Sequence, residues 1–273
     1  DLSYRAWNHD EAIHTDWSWN LYTGRGYQHN PIYHGPLLYH LTALSFVLFG
    51  DNDTTARLPN ALFGIVLVAL PYLFRKWLGA RGWVATAVML LISPALLYYS
   101  RFNRHDIYVE LFVVLLALAI WKYFDERHEV WLYASAALLA FSYTAMETTF
   151  IFVAIFAVFL CAHFTFHYLR PRVRWNDARL VLFAAILGIP FFGLSVVYFL
   201  ARAWQTRKKS DAPETLREDY RAIPSFDLSV VLGTFSLPLL TPALFYALNV
   251  IWKPAFRADF FPIAAFSDIN TLT

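Results

Sequence analysis

The densest polar cluster in the chain is Asn8-His9-Asp10-Glu11-Ala12-Ile13-His14. A helix over 9–23 places Asp10 and His14, four residues apart, on one face. Adjacent carboxylates beside apolar surface acquire separated pKa values, which suits general acid–base chemistry. The same residues also read as a solvated helix start, its acidic pair favoured by the N-terminal dipole. Metal binding is a third reading, since Glu11-x-x-His14 is a workable ligand spacing, although no second motif completes a site.

Ser100-Arg101-Phe102-Asn103-Arg104-His105-Asp106 forms a second cluster, with Glu110 one helical turn beyond Asp106. Arg101, Arg104 and His105 together make a clamp for a phosphate, because guanidinium matches phosphate oxygens two at a time. Anchoring at lipid headgroups would account for one arginine. It does not account for Asp106 and Glu110, since ionisable groups at membrane depth are costly and usually functional. Glu147 is a third acidic site, and it interrupts an otherwise uncharged stretch from 131 to 169. It is either an acid buried in a turn or a further part of the same site.

These clusters stand out because the chain carries so little charge elsewhere. Of its 273 residues, 58% are hydrophobic and 15% charged, against about 45–50% and 25% in ordinary globular domains. Aromatics reach 19%, and the mean hydropathy is +0.43. This composition excludes a disordered tail, a disulfide scaffold and a water-soluble enzyme. The net charge of +2, with no basic helix, gives no case for a nucleic-acid partner. Cys161 is the single cysteine and lies in an apolar run, where it reads as core or lipid-facing. His163 and His167 read as partners in interhelical hydrogen bonds.

Uncharged runs extend over 58–74, 82–100, 130–146, 148–169, 180–201 and 228–252. A bilayer span needs roughly 17–25 apolar residues, so the expected fold is all-α, a polytopic transmembrane helical bundle. Seven spans are expected, at 57–74, 83–99, 107–124, 131–146, 149–168, 179–200 and 228–251. The third contains Glu110, which must then face protein or water. Residues 1–56 are broken by Gly24, Gly26, Pro31, Gly35 and Pro36, and read as a first extracytoplasmic loop with juxtamembrane helices at 9–23 and 37–49. The domain organisation is therefore 1–56, a transmembrane core over 57–200, a basic loop over 201–227, and a further span and tail over 228–273. The chain starts at Asp1 and ends at Thr273, so a preceding first span and a truncated tail are expected.

Orientation follows Lys and Arg in short loops. The loops at 75–81, 122–130 and 169–179, with the tail, carry eleven, against five on the other side before residue 201. That puts 1–56 outside the cytoplasm. Loop 201–227 adds six more basic residues to the outer side and levels the count. By parity Asp10, Asp106 and Glu147 all fall on the outer face, as one site roofed by surface helices.

Asp10-Glu11-Ala12, His34-Gly35-Pro36-Leu37-Leu38-Tyr39, Phe49-Gly50, Ala56-Arg57-Leu58-Pro59, Leu78-Gly79, Ser93-Pro94 and Tyr99-Ser-Arg101-Phe-Asn-Arg104-His-Asp106 form an ordered series. Over about residues 7–150 it resembles the GT-C superfamily of membrane glycosyltransferases. The nearest likeness is to the protein O-mannosyltransferase-like and lipid A aminoarabinose transferase-like group, and within it to a prokaryotic flippase-associated branch. The resemblance implies a polyprenyl-phosphate-linked sugar donor and a lipid, glycan or protein acceptor, in a multi-pass protein of the prokaryotic cytoplasmic membrane among membrane lipids. It implies Asp10, beside Glu11, as the base for an acceptor hydroxyl, and Asp106 as the second acid. Arg101, Arg104 and His105 are implied to hold the leaving lipid phosphate. His14, His34, Tyr39, Arg57, Glu110 and Glu147 are expected around the substrate cavity. Two departures stand out. His34-Gly35-Pro36 replaces the family's usual His-Pro-Pro, and Ala145-Met146 precede Glu147 where a lysine is common.

The expected activity is inverting transfer of a hexose, mannosyl-like, to an acceptor hydroxyl at the extracytoplasmic face. No cofactor is required, because arginine alone can neutralise a departing monophosphate, and no metal ligands are assigned. The alternative is a non-catalytic polyprenyl-phosphate-binding protein or flippase-associated partner. An ion-coupled transporter ranks lower, because it would place its ionisable groups near the bilayer midplane.

Overall fold

The computed structural model describes residues 2–27, 33–164, 166, 167 and 223–236, and every regular element among them is helical. The first helix, α1 (His9–Tyr22), starts behind Asn8, whose N–H donates to the Glu11 carboxylate at 3.4 Å. Such a reach-back satisfies a backbone donor that the helix leaves unpaired. Helix α2 (Leu37–Phe49) follows Pro36 and stops at Gly50, whose φ of 83° is a left-handed turn suited to glycine. Both agree with the helices expected at 9–23 and 37–49.

Helix α3 (Asp53–Ala69) is capped by the Asn52 side chain, which accepts from the N–H groups of Thr54 and Thr55. It tightens into a 3₁₀ turn over Leu70–Phe74. Helix α4 (Arg75–Ile92) is broken at Gly79, where φ is 69°. A short α5 (Pro94–Tyr99) completes the return. The expected span over 83–99 is thus two helices, because Pro94 lacks the N–H that a continuous helix would need there. The return brings Ser100 against α3. A Cβ on Gly64 would lie 2.4 Å from the Ser100 Cβ, so glycine is what lets the two strands of this helical hairpin touch.

Helix α6 (Asp106–Glu126) ends at Arg127 in the left-handed region. Helices α7 (Val130–Ala145) and α8 (Thr149–Phe164) follow, and α9 covers 224–236. The long segments Asp53–Ile92 and Asp106–Glu126 have the length and apolarity to cross a membrane, and α2, α7 and α8 are shorter apolar helices. The expected span at 179–200, most of that at 228–251, and most of loop 201–227 lie outside the described residues.

Helix α6 is the axis of the packing. Its N-terminal half, through Ile107, Tyr108, Leu111 and Phe112, packs with Leu38, Leu67 and Leu96. Its C-terminal half, through Leu116 and Ile120, packs with Leu139, Val153, Leu160, Leu228 and Leu232. Helix α4, by contrast, buries no residue at all, and Ile65, Met89, Ile92, Tyr133 and Ile151 are exposed. Apolar helices with unburied apolar faces fit a lipid solvent. The two ends of the bundle differ in charge. Lys76–Asp125 and Lys122–Glu126 pairs mark one end, while Asp10, Asp106 and Glu147 lie at the other. His163 and His167 stack on each other with centroids 4.1 Å apart, and His167 bonds to the His163 carbonyl, so their contact is local rather than interhelical.

Candidate active site

The site is built on a buried ion pair. Arg57, in the first turns of α3, and Glu11, in the first turn of α1, are both fully enclosed. Arg57 donates to both Glu11 oxygens, from Nε at 2.9 Å and from a terminal nitrogen at 3.1 Å. It also donates to the carbonyls of Leu2 and Arg5, and its guanidinium lies 4.7 Å from the Trp7 ring centre. Arg5 donates to Glu11 at 2.7 Å, and the Asn103 N–H does so at 3.0 Å. Burial by itself would raise the Glu11 pKa. The hydrogen bonds from Arg57 and Asn103 and the charges of Arg57 and Arg5 outweigh it, holding the carboxyl below its ordinary range. Every Glu11 lone pair of use to a metal is engaged, so Glu11-x-x-His14 does not form a ligand pair. Among the described residues no group of three His, Cys, Asp or Glu side chains could hold a metal ion.

This lock sets the first turn of α1, and with it Asp10. Arg104 stands between the two expected acids, 3.5 Å from the Asp10 carboxylate and 3.2 Å from that of Asp106. Asp10, Arg104 and Asp106 keep side-chain exposures of 49%, 33% and 35%, so the trio is open to a ligand. Arg101 is exposed three residues before Arg104, and Glu110 is exposed one turn along α6.

The segment carrying Arg104 is pinned from below by Asn60, which lies outside every motif, and by Asn103, which the second cluster contains without a role. Asn60 of α3 donates to the carbonyls of Phe102 and Arg104 at 2.8 and 2.7 Å and accepts from the Tyr108 hydroxyl at 2.8 Å. Asn103 donates to Thr15 at 2.9 Å. The available signal was Asn60 itself, an amide inside the uncharged run 58–74, where an unpaired polar group would be expensive.

Behind Asp10 and Arg104 lies a polar core that was expected only as scattered cavity residues. The His14 and His105 rings meet edge to face at 4.9 Å, and His105 and His34 do so at 5.2 Å. His34 bonds to Glu147 at 2.8 Å. The buried Tyr39 hydroxyl donates to the Tyr33 carbonyl at 2.6 Å, so His14 must be the donor in its 3.0 Å contact with that hydroxyl. His105 likewise donates from Nε2 to the Gly35 carbonyl at 3.0 Å, which leaves its buried Nδ1 without a partner. Burial first, then the neighbouring His34 and Arg104, pull His14 down to about 4 against the opposing charge of Asp10. Burial and His14 bring His105 down to about 3. Both rings are therefore held toward the neutral form, and His105, fully buried with its Nε2 on the Gly35 carbonyl, lies behind the open face rather than on it.

The structure thus gathers eleven of the twelve expected site residues into three groups, and it places no site residue against the Arg101 side chain among the described contacts. Asp10, Arg104 and Asp106, with the exposed Glu110, form the open face, and Arg101 is exposed next to this stretch in the chain. His14, Tyr39 and His105 form the buried polar core, with His34 and the exposed Glu147 at its edge, and Glu11 with Arg57 forms the buried lock.

The family model described as dolichyl-phosphate-mannose-protein mannosyltransferase matches residues 33–193. A protein of Aquifex aeolicus (strain VF5), described as uncharacterized, is 25% identical over 152 residues, covering 51% of this chain. The chain spans only 30% of that relative's length. No solved structure matches the chain.

Proposed function

Because the chain belongs to the dolichyl-phosphate-mannose-protein mannosyltransferase family, within the GT-C superfamily of membrane glycosyltransferases, we propose that it transfers a sugar from a polyprenyl-phosphate donor to an acceptor hydroxyl. Transfer takes place at the extracytoplasmic face and inverts the anomeric centre. The observation that carries this reading is the open Asp10–Arg104–Asp106 trio, two carboxylates held about one guanidinium at the mouth of the bundle.

Asp10 accepts the proton of the acceptor hydroxyl as that oxygen bonds to the anomeric carbon. The bond from that carbon to the phosphate oxygen breaks on the opposite side, and polyprenyl phosphate leaves with the electron pair. Arg104 and the exposed Arg101 meet the charge that develops on the leaving group. The Arg104–Asp10 contact is long and partly solvated, so it is weak enough to be exchanged for a phosphate. Asp106 orients Arg104. Glu11 acts through Asp10 as a positioning residue, and neutral His105 supports the segment that carries Arg104.

The test incubates purified protein with labelled polyprenyl-phosphate sugar and scores free polyprenyl phosphate. Asp10→Asn should slow release by about 10²–10⁴-fold while the variant keeps its thermal midpoint. Release at the wild-type rate would remove Asp10 from its role. Donor binding with no release by the wild type would leave a non-catalytic carrier-binding protein.

A further inference from the structure

A recess lies on the flank of α1 turned away from Asp10. Trp7, Asp16, Trp19, Asp51, Asn52 and Asp53 line a cavity of about 440 Å³ there, within the size range of small-ligand pockets, about 300–1,000 Å³. Its indole walls are fixed in advance. The Trp19 ring nitrogen donates to Asp51 at 2.9 Å, and the Arg25 guanidinium covers the same ring at 4.5 Å. Trp7 is held by the buried Arg57. Rings immobilised before binding lose little entropy when a ligand arrives.

Flat apolar walls beside hydrogen-bond acceptors match the two-sided character of a pyranose. Its C–H face can lie on an indole while its hydroxyls donate to carboxylate and amide oxygens. Charge narrows the choice further. None of Asp16, Asp51 and Asp53 is ion-paired among the described residues, and three carboxylates against the one guanidinium of Arg25 on Trp19 disfavour an anion in the recess. A neutral or cationic sugar suits it better than a phosphate-bearing donor. We propose that this recess is a carbohydrate subsite for a neutral or amino sugar of the acceptor, across α1 from Asp10. A helix is about 10–12 Å across, so the bound sugar is a unit remote from the reacting hydroxyl. Only the word acceptor rests on the glycosyl-transfer reading; the affinity for sugar does not.

The test uses the full chain in detergent and saturation-transfer NMR with three probes: mannotriose, a glucosamine trimer and a galacturonate trimer. Saturable binding is expected for the first, the second or both, with none for the third. Trp19→Ala should weaken binding at least about tenfold. Ala12→Tyr, which fills the recess from an exposed helix position, should do the same without disturbing the fold. Asp10→Asn should bind sugar as the wild type does. The subsite is overturned if neither the neutral nor the amino trimer binds, if the anionic trimer binds as well as they do, or if Ala12→Tyr binds unchanged. Those failures leave the transfer reading standing. Conversely, a wild type that binds donor but releases no polyprenyl phosphate, with sugar binding intact, overturns the transfer reading and leaves the subsite.

Discussion

At the scale of single residues, the decisive contact is Glu11 with Arg57. A buried carboxylate is tolerable only when its charge is met and its lone pairs are filled, and here two arginines and two backbone N–H groups do both. Arg57→Ala strands that charge and should cost about 3–5 kcal/mol, read as a lowered thermal midpoint in detergent. Arg57→Lys should recover only part of it, because ammonium cannot reproduce the two-point contact. The histidine core makes a separate prediction about pH. His14 and His105 sit at about 4 and about 3 in the fold, against an ordinary value near 6.5. Below about 6.5 the unfolded chain takes up protons that the folded chain refuses, so stability falls as pH drops from there toward about 4. The groups facing this pair are Asp10, His34 and Arg104. Glu11, lowered in the fold, loses its own contribution further into acid, as pH falls through its folded value. Thermal midpoints measured from neutral pH to about 4 should slope downward, and His105→Asn should flatten the upper part of that slope.

At the scale of elements, Gly35 joins the pieces. Its N–H donates to the Ala145 carbonyl at the end of α7, and its carbonyl accepts from His105 before α6. This gives His34-Gly35-Pro36 a physical reason, because proline at 35 would have no N–H to offer. A Cβ at 35 would sit 2.1 Å from the Thr144 carbonyl oxygen. Gly35→Ala should therefore separate the turn from α7, costing about 1–3 kcal/mol and reducing sugar transfer together with the thermal midpoint. Asn60 does similar work for α3 and α6. Asn60→Leu removes the side-chain partner of the Arg104 carbonyl and of the Tyr108 hydroxyl, at about 1–3 kcal/mol for each buried group, while the Phe102 carbonyl keeps the Arg104 N–H. That variant should lose transfer more than donor binding, since Arg101 stays where it is while Arg104 is freed to move.

At the scale of the whole molecule, this is a membrane protein whose helices reverse direction often enough to bring distant acids to one end. Asp10, Asp106 and Glu147 are far apart in the chain, yet they lie about a single group of arginine and histidine side chains. The opposite end carries Lys76, Lys122 and their carboxylate partners. If the basic end is cytoplasmic, a cysteine at Asp16 should react with an impermeant maleimide added outside intact cells. A cysteine at Arg81 should react only after permeabilisation, both in a Cys161→Ala background. The reverse pattern would invert the proposed orientation of the site.

Much of this was legible in the sequence, for reasons particular to each feature. Scarce charge exposes every uncharged run of span length, and proline, glycine and asparagine punctuate the ends, so α1 and α2 fall where Asn8, Pro36 and Gly50 put them. Parity alone placed the three acids on one side. The division of labour among them was beyond its reach. Asp10 and Glu11 are neighbours of the same charge, yet one is half-open and the other fully enclosed, because successive helical residues point about 100° apart and only packing against α3 decides which faces Arg57. His105 sits in an arginine-rich motif and reads as a cation until burial makes it neutral. Spacing along the chain determined which chemical groups meet at this end of the bundle; dielectric and hydrogen-bond partners, which exist only once the helices are packed, decided which of them can act.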